Sequence, residues 1–509
     1  MKSSKRVMPL VRGVVGVLFL LTGLSFADDA DVDELIDLGL AQVYEGNYVD
    51  ALVYLDQAVE LDTEDPEAFY GRGFSNYSLG NYEQALSDYS KAIELDPGLK
   101  DAFYGKGVCY YYLGNYEQAI TVLSRVIEMN PEFSEAYYWR GSSYHDNGNY
   151  EQAVSDFSTF IEISPDISDA FYWRGLGNKF LGNYEQAVSD FSIFLEFNPD
   201  DAYGLFWRGY TYGKLSMYNE AITDLSRILE LVPDDEDALY WRGRNYLLSE
   251  EYDKAVSDFS KIIEIDPDGP DALYWRGRSY LLLEEYDKAV SDFSRNIEID
   301  PYDLDALYWR GFIYFNIQNY DDAISDFSRT IELNPDDADA IYWRGYSYFY
   351  EEDYIPAISD FTRAIEIDSD DMDAMYMRGR CYYSEDNYVP AISDFTKVIE
   401  INPDNENAIY WRASCSGSLK DYDGAITDYS RALELEPEDT DALYWRGYCY
   451  GMLENVDEAL SDLSRAIEID PELAKAYYLR SRIYEFSGDT ANANADYEKA
   501  IELDPELAQ

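Results

Sequence analysis

Residues 270–303 read PDALYWRGRSYLLLEEYDKAVSDFSRNIEIDPYD, and this stretch decides the fold. Apolar and small residues recur at helical spacing in two runs: Leu273, Tyr274, Gly277, Tyr280 and Leu281, then Ala289, Phe293 and Ile297. Glu284, Glu285 and Tyr286 separate the runs. Each run fits a helix of about a dozen residues, so the stretch predicts two helices joined by a tight turn. Pro301 then stops the second helix, because proline lacks the amide donor and disfavours helix at the residue before it.

Working outward, proline recurs at residues 97, 131, 165, 199, 233, 267, 301, 335, 403, 437, 471 and 505, each gap being 34 residues or, once, twice that. The missing beat falls at Ser369, and Thr63 holds the place before the first proline. Fourteen copies start at residues 32, 66, 100, 134, 168, 202, 236, 270, 304, 338, 372, 406, 440 and 474, and fill residues 32–507. Residues 28–31 remain as a short linker and 508–509 as a tail. A drift-free period of this length means one helix pair stacked on copies of itself, a solenoid. The end repeats read as caps: Asp37 and Leu38 stand where others have Trp and Arg, and the last repeat has Ser481 for glycine and a polar Ala491–Ala495 stretch.

The eighth repeat position is Gly in twelve copies, from Gly39 and Gly73 to Gly447, and the twentieth is Ala in all fourteen. With an aromatic before the glycine, a tyrosine after it, and Ala, Phe and Pro following, the unit resembles the tetratricopeptide repeat, a 34-residue helix pair. That resemblance implies an all-α solenoid, a right-handed superhelix of antiparallel helix pairs, acting as a scaffold that binds protein. A mid-helix glycine costs about 1 kcal/mol against alanine. Twelve of them imply that the paired helices cross closely, with Phe293-type aromatics wedging into the neighbouring repeat.

One column departs from the family pattern. The seventh position is Arg in twelve copies, including Arg140, Arg276 and Arg344, and Lys106 in a thirteenth. The twenty-third is Asp in twelve, including Asp156, Asp292 and Asp360. Both columns lie in helices rather than loops, so we read them as a structural ion-pair ladder in preference to an anion-binding groove of free guanidinium groups. Pairing within one repeat and pairing across two both fit the spacing.

Lys2, Lys5, Arg6 and Arg12 precede the apolar run Gly13–Leu21, and Ser25-Phe26-Ala27 supplies small residues where a signal peptidase reads. Residues 1–27 therefore read as a secretory signal peptide cut near Ala27, with the protein exported to the periplasm, cell surface or extracellular space. No later segment reads as a membrane span. Export makes the four cysteines worth testing as disulfides, but Cys109, Cys381, Cys415 and Cys449 all occupy the tenth position. The last three sit on successive stacked helices about 8–10 Å apart, too far for a disulfide, so all four read as small core residues.

The formal charge is −62, and removing the leader, which carries four bases and no acids, makes it −66. Nucleic acid is excluded as a partner, because phosphate contact needs basic surface. The twenty-sixth position carries further cations, Lys261, Arg295, Arg329 and Arg363, each three residues before a glutamate on the same helix: Glu264, Glu298, Glu332 and Glu366. Surplus acid gathers between repeats, as in Pro233-Asp234-Asp235-Glu236-Asp237, where one aspartate per corner can cap the next helix. Asp368–Asp373 resembles the start of a calcium loop but lacks the glycine at its sixth place and the glutamate at its twelfth. The pattern calls for no metal and no cofactor.

The aromatic columns bear on function. All nine tryptophans occupy the sixth position, and Tyr or Phe fills the fifth in thirteen repeats. By the resemblance, first helices line the inner wall of the superhelix, and the fifth, ninth, twelfth and thirteenth positions commonly meet ligand. That places Tyr240, Tyr274, Tyr308 and Tyr342 on the wall, with Trp241, Trp275, Trp309 and Trp343 at its edge. The ninth position varies, with Arg244, Arg278, Phe312 and Tyr346 among its residues, which suits recognition of a partner. The tryptophans could instead pack between repeats. Such rings favour a protein or peptide, and the negative field favours a basic one. A carbohydrate-binding or purely structural envelope component is the alternative. An enzyme is not expected, because the repeats leave no second domain, and the single histidine, His145, reads as a surface residue.

Overall fold

In a computed structural model, residues 31–508 are described, and the leader and most of the linker lie outside them. The described residues form 28 α-helices in fourteen consecutive pairs and a closing 3-10 turn, Pro505–Ala508, with no strand among them. The opening stretch becomes the helices Pro270–Leu282 and Tyr286–Ile299. The chain divides into two compact bodies, one ending at Leu231 and one beginning at Val232. In each, a helix packs on its own partner and on the helix of the adjoining pair.

Local signals start and stop these helices. The aspartate before a first helix accepts from an amide in its first turn, as Asp235 from Ala238 N at 2.8 Å and Asp337 from Ala340 N at 3.0 Å. That accounts for one acid of each such corner. Within a pair the chain reverses through one left-handed residue, whose successor donates back six-to-one, as Glu285 N does to Tyr280 O at 2.9 Å. The left-handed residue is Gly46, Gly80, Gly114, Gly148 and Gly182 in the first five pairs. In the next eight it is Ser216, Glu250, Glu284, Gln318, Glu352, Asp386, Lys420 and Glu454, at φ between 54° and 65°.

The glycine column is explained by the side chain at the twenty-fourth position, a ring in eight of the twelve glycine repeats and a leucine in the other four. A Cβ built on Gly277 would lie 3.1 Å from Phe293 Cζ, and one on Gly379 would lie 2.8 Å from Phe395 Cε1. The aromatic at the twenty-fourth position is fully buried beneath the glycine of its own repeat, and Phe293 shares its core cluster with Ala306 and Leu307 of the next. Thus the wedge expected toward the neighbour sits equally within its own pair. The twentieth-position alanines are buried throughout.

The arginine and aspartate columns form the ladder, and they pair within a repeat. Arg276 donates from Nε and Nη2 to the two carboxylate oxygens of Asp292 at 2.8 and 2.7 Å, and from Nη1 to Ser260 Oγ of the preceding repeat at 3.1 Å. Arg140, Arg310, Arg344, Arg378, Arg446 and Arg480 repeat this three-way grip. One side chain therefore ties both helices of a pair and fixes the register to the pair before. Burial pushes the Asp88, Asp156 and Asp326 carboxyls above the usual range despite their arginines, while the hydrogen bond from Arg276 to Asp292 pushes that guanidinium up.

Two sequence expectations change. Of the twenty-sixth-position cations named above, Arg295 does bond Glu298, at 3.0 Å. Lys261, Arg329 and Arg363 instead reach back to the carbonyls of Pro233, Pro301 and Pro335. Those oxygens lie in the acidic corner just past a helix C-terminus, the more negative site. His145 is not a surface residue: its ring packs edge-on against Trp173 and Tyr150 at 5.2 and 5.4 Å, and its Nδ1 lies 3.1 Å from Asp146 Oδ1. The four thiols are buried and form no disulfide, with burial pushing Cys109, Cys381 and Cys415 up to about 12 and Cys449 to about 11. No described helix is long and apolar enough to cross a membrane.

Candidate functional site on the first helices

Within each body, successive first helices touch one another as well as their partners, which brings their shared face into a continuous strip. The fifth, sixth, ninth and twelfth positions compose it. The fifth-position tyrosine stands edge-on to the tryptophan beside it: Tyr274 to Trp275 at 4.9 Å and Tyr308 to Trp309 at 5.3 Å. It also leans on the buried twenty-fourth ring, as Tyr274 on Phe293 at 5.9 Å and Tyr342 on Phe361 at 5.6 Å. Core and face are thus continuous, and the tyrosines are held by packing on one side.

Tyr240, Tyr274, Tyr308 and Tyr342 are half-buried, as are Trp241, Trp275, Trp309 and Trp343. Both sequence readings of the tryptophans meet at Trp275, Trp309 and Trp343, each of which is wedged against the preceding repeat and still reaches solvent. The wedge comes from the ninth and twelfth positions of the repeat before. The Arg244 guanidinium lies 3.7 Å from the centroid of Trp275, and that of Arg278 lies 3.8 Å from Trp309. Phe312 and Phe315 meet Trp343 at 5.0 and 5.1 Å. Tyr346 is stacked with Phe315 at 5.3 Å.

The ninth-position arginines are therefore engaged. Besides stacking, Arg244 donates to Tyr240 Oη at 3.2 Å and Arg278 to Tyr274 Oη at 3.3 Å, while the Nε of each is buried against the rings without a hydrogen bond. Position-by-position reading could place these arginines on the face, but the offset to the next repeat's tryptophan was missed. The signal was the pairing of a ninth-position Arg with a sixth-position Trp one repeat on.

In the first body the cover is different. Tyr111 and Tyr112 enclose Trp139, which is only 7 % exposed, His145 meets Trp173, and Lys179 lies 4.2 Å from the Trp207 centroid.

Family models for the tetratricopeptide repeat match residues 104–168 and 418–474, 304–337, 338–371 and 474–507, and 373–405. The chain belongs to the tetratricopeptide-repeat family. A model for anaphase-promoting complex, cyclosome, subunit 3 also matches residues 45–126 and 214–290 of this tetratricopeptide-repeat chain. Among solved structures it is similar to yeast Tom70, at 18 % identity over 83 % of this chain and 96 % of that one, with a TM-score of 0.33. It is similar to YrrB, described as a TPR protein with an unusual peptide-binding site, at 24 % identity over 36 % and 95 % with a TM-score of 0.34. The C-terminal part of a TPR repeat-containing protein from Cytophaga hutchinsonii matches at 20 % identity over 47 % and 97 %, with a TM-score of 0.42. No curated protein matches. As a tetratricopeptide-repeat protein the chain is a scaffold suited to protein–protein interaction.

Proposed function

We propose that the chain is an exported scaffold that binds a protein or peptide partner of basic character along the first-helix face, and that it is not an enzyme. The observation that carries this reading is the half-exposed row of Tyr–Trp pairs. Each tyrosine ring packs on the buried core along one side and leaves its other side open to solvent. Rings held rigid by packing give contact area at low entropic cost. The charge of −62 draws basic chains and repels acidic ones. Export rests on the leader at residues 1–27.

Affinity capture with the whole mature chain, beside the same chain carrying Trp275→Ala and Trp309→Ala together, tests the reading. Basic proteins retained by the first, eluted by salt and lost about tenfold by the second are expected. Retention unaffected by the two substitutions, or of acidic proteins, overturns it.

A further inference from the structure

Trp445 breaks a rule its neighbours keep. In the second body, three tryptophans carry an arginine from the ninth position of the preceding repeat: Arg244 on Trp275, Arg278 on Trp309 and Arg380 on Trp411, the last at 4.1 Å. Each of those guanidinium groups also donates to the fifth-position tyrosine hydroxyl of its own repeat, Arg380 to Tyr376 Oη at 3.3 Å. For Trp445 the covering positions are Ser414 and Gly417, too short to reach across an indole. The Ser414 hydroxyl is turned to Tyr429 Oη, 2.9 Å away. Trp445 is accordingly 39 % exposed, whereas the other eight tryptophans are buried or half-buried. The tyrosine half of the arrangement persists as Tyr410, whose phenol is pushed up to about 12 by burial and by the nearby Asp441 and Asp439.

We infer that Trp445 and Tyr410 form a slot for an arginine side chain of the partner polypeptide, which lies on the indole and donates to the Tyr410 hydroxyl. The molecule fills the same arrangement with its own arginines three times nearby, so its internal geometry names the missing group. Tryptophan is the best aromatic face for a cation. A planar guanidinium stacks and donates at once, which an ammonium does not, so arginine is preferred to lysine. Asp439 and Asp441 add negative potential, and Asp441 is already shared with Lys475 at 2.5 Å. The inference rests on the first-helix face being the recognition surface, and it names one group that this surface reads.

The test titrates the whole mature chain with acetyl-Gly-Arg-Gly-amide and with the lysine and citrulline counterparts, following indole resonances and heat. The arginine peptide is expected to bind about tenfold tighter than the citrulline one. Ser414→Arg, which supplies the covering guanidinium in cis but gives up the Ser414 bond to the buried Tyr429 hydroxyl, is expected to weaken arginine-peptide binding about tenfold under conditions where the chain stays folded, and Trp445→Ala to weaken it equally. An arginine peptide that does not bind, that binds Ser414→Arg as well as the parent, or that is matched by citrulline overturns the slot, as does a neutral oligosaccharide shifting the Trp445 resonance in its place. If the slot fails while partner capture still depends on Trp275 and Trp309, the proposed function stands; if the slot binds and capture ignores those two, only the function falls.

Discussion

Arg276 and Arg278 leave one helix two residues apart and enter different regions of the molecule. Arg276 turns into the pair, where a buried carboxylate and a serine of the preceding repeat take up its donors. Arg278 turns onto the face, where it lies on Trp309 and donates to Tyr274. The interior demands complete pairing, because a lone charge there has no solvent to fall back on. The face tolerates partial pairing and substitution, so Phe312, Tyr346 and Ser414 replace arginine along the same column while the interior column hardly varies.

The contrast can be broken first at Arg276. Arg276→Met leaves Asp292 buried without its partner and is expected to destabilise by about 3 kcal/mol, read as a denaturant midpoint shift. An unchanged midpoint would place the ladder at the surface. Next comes Asn296, four residues beyond Asp292: it is 0 % exposed and neither its amide nitrogen nor its oxygen has a hydrogen-bond partner among the described residues. Asn296→Val is expected to stabilise by about 1–2 kcal/mol, showing that the interior penalises unpaired polarity rather than polarity itself. Destabilisation would mean that the amide is satisfied.

A smaller effect is expected on the face. Arg278→Ala should cost at most about 1 kcal/mol while making Trp309 more accessible to acrylamide; a cost equal to that of Arg276→Met would erase the distinction. The smallest effect concerns pH. A carboxyl whose folded pKa is raised, as at Asp88, Asp156 and Asp326, binds its proton more readily when folded. Its contribution is therefore present below the unfolded pKa and lost as pH rises through the folded one. Lowering pH through the ordinary carboxylate range, from about 5 to about 3, should leave the ladder's contribution to the melting temperature level or higher. A fall over that window would mean that arginine pairing outweighs burial.

Much of this was legible in the chain. The proline beat gave the pairs, Asp235-type residues the caps, and Gly277 the close approach that Phe293 requires. What was not legible depends on the offset between neighbouring repeats: the Ser260 contact of Arg276, the stacking of Arg278 on Trp309 and the packing of His145 on Trp173. A period reports what recurs, and the rotation between copies decides which recurring residues meet. The turn was hidden for another reason. Glycine marks its left-handed residue in the first five pairs, but Glu284 and its counterparts adopt the same conformation without that mark.

The most direct measurement is hydrogen–deuterium exchange of the whole mature chain with and without a bound basic peptide. Slowed exchange concentrated in first helices such as Glu236–Leu248, Pro270–Leu282, Leu304–Asn316 and Thr440–Met452 is predicted. Slowing confined to second helices such as Tyr286–Ile299, or to the acidic corners between pairs, would contradict recognition by the aromatic face.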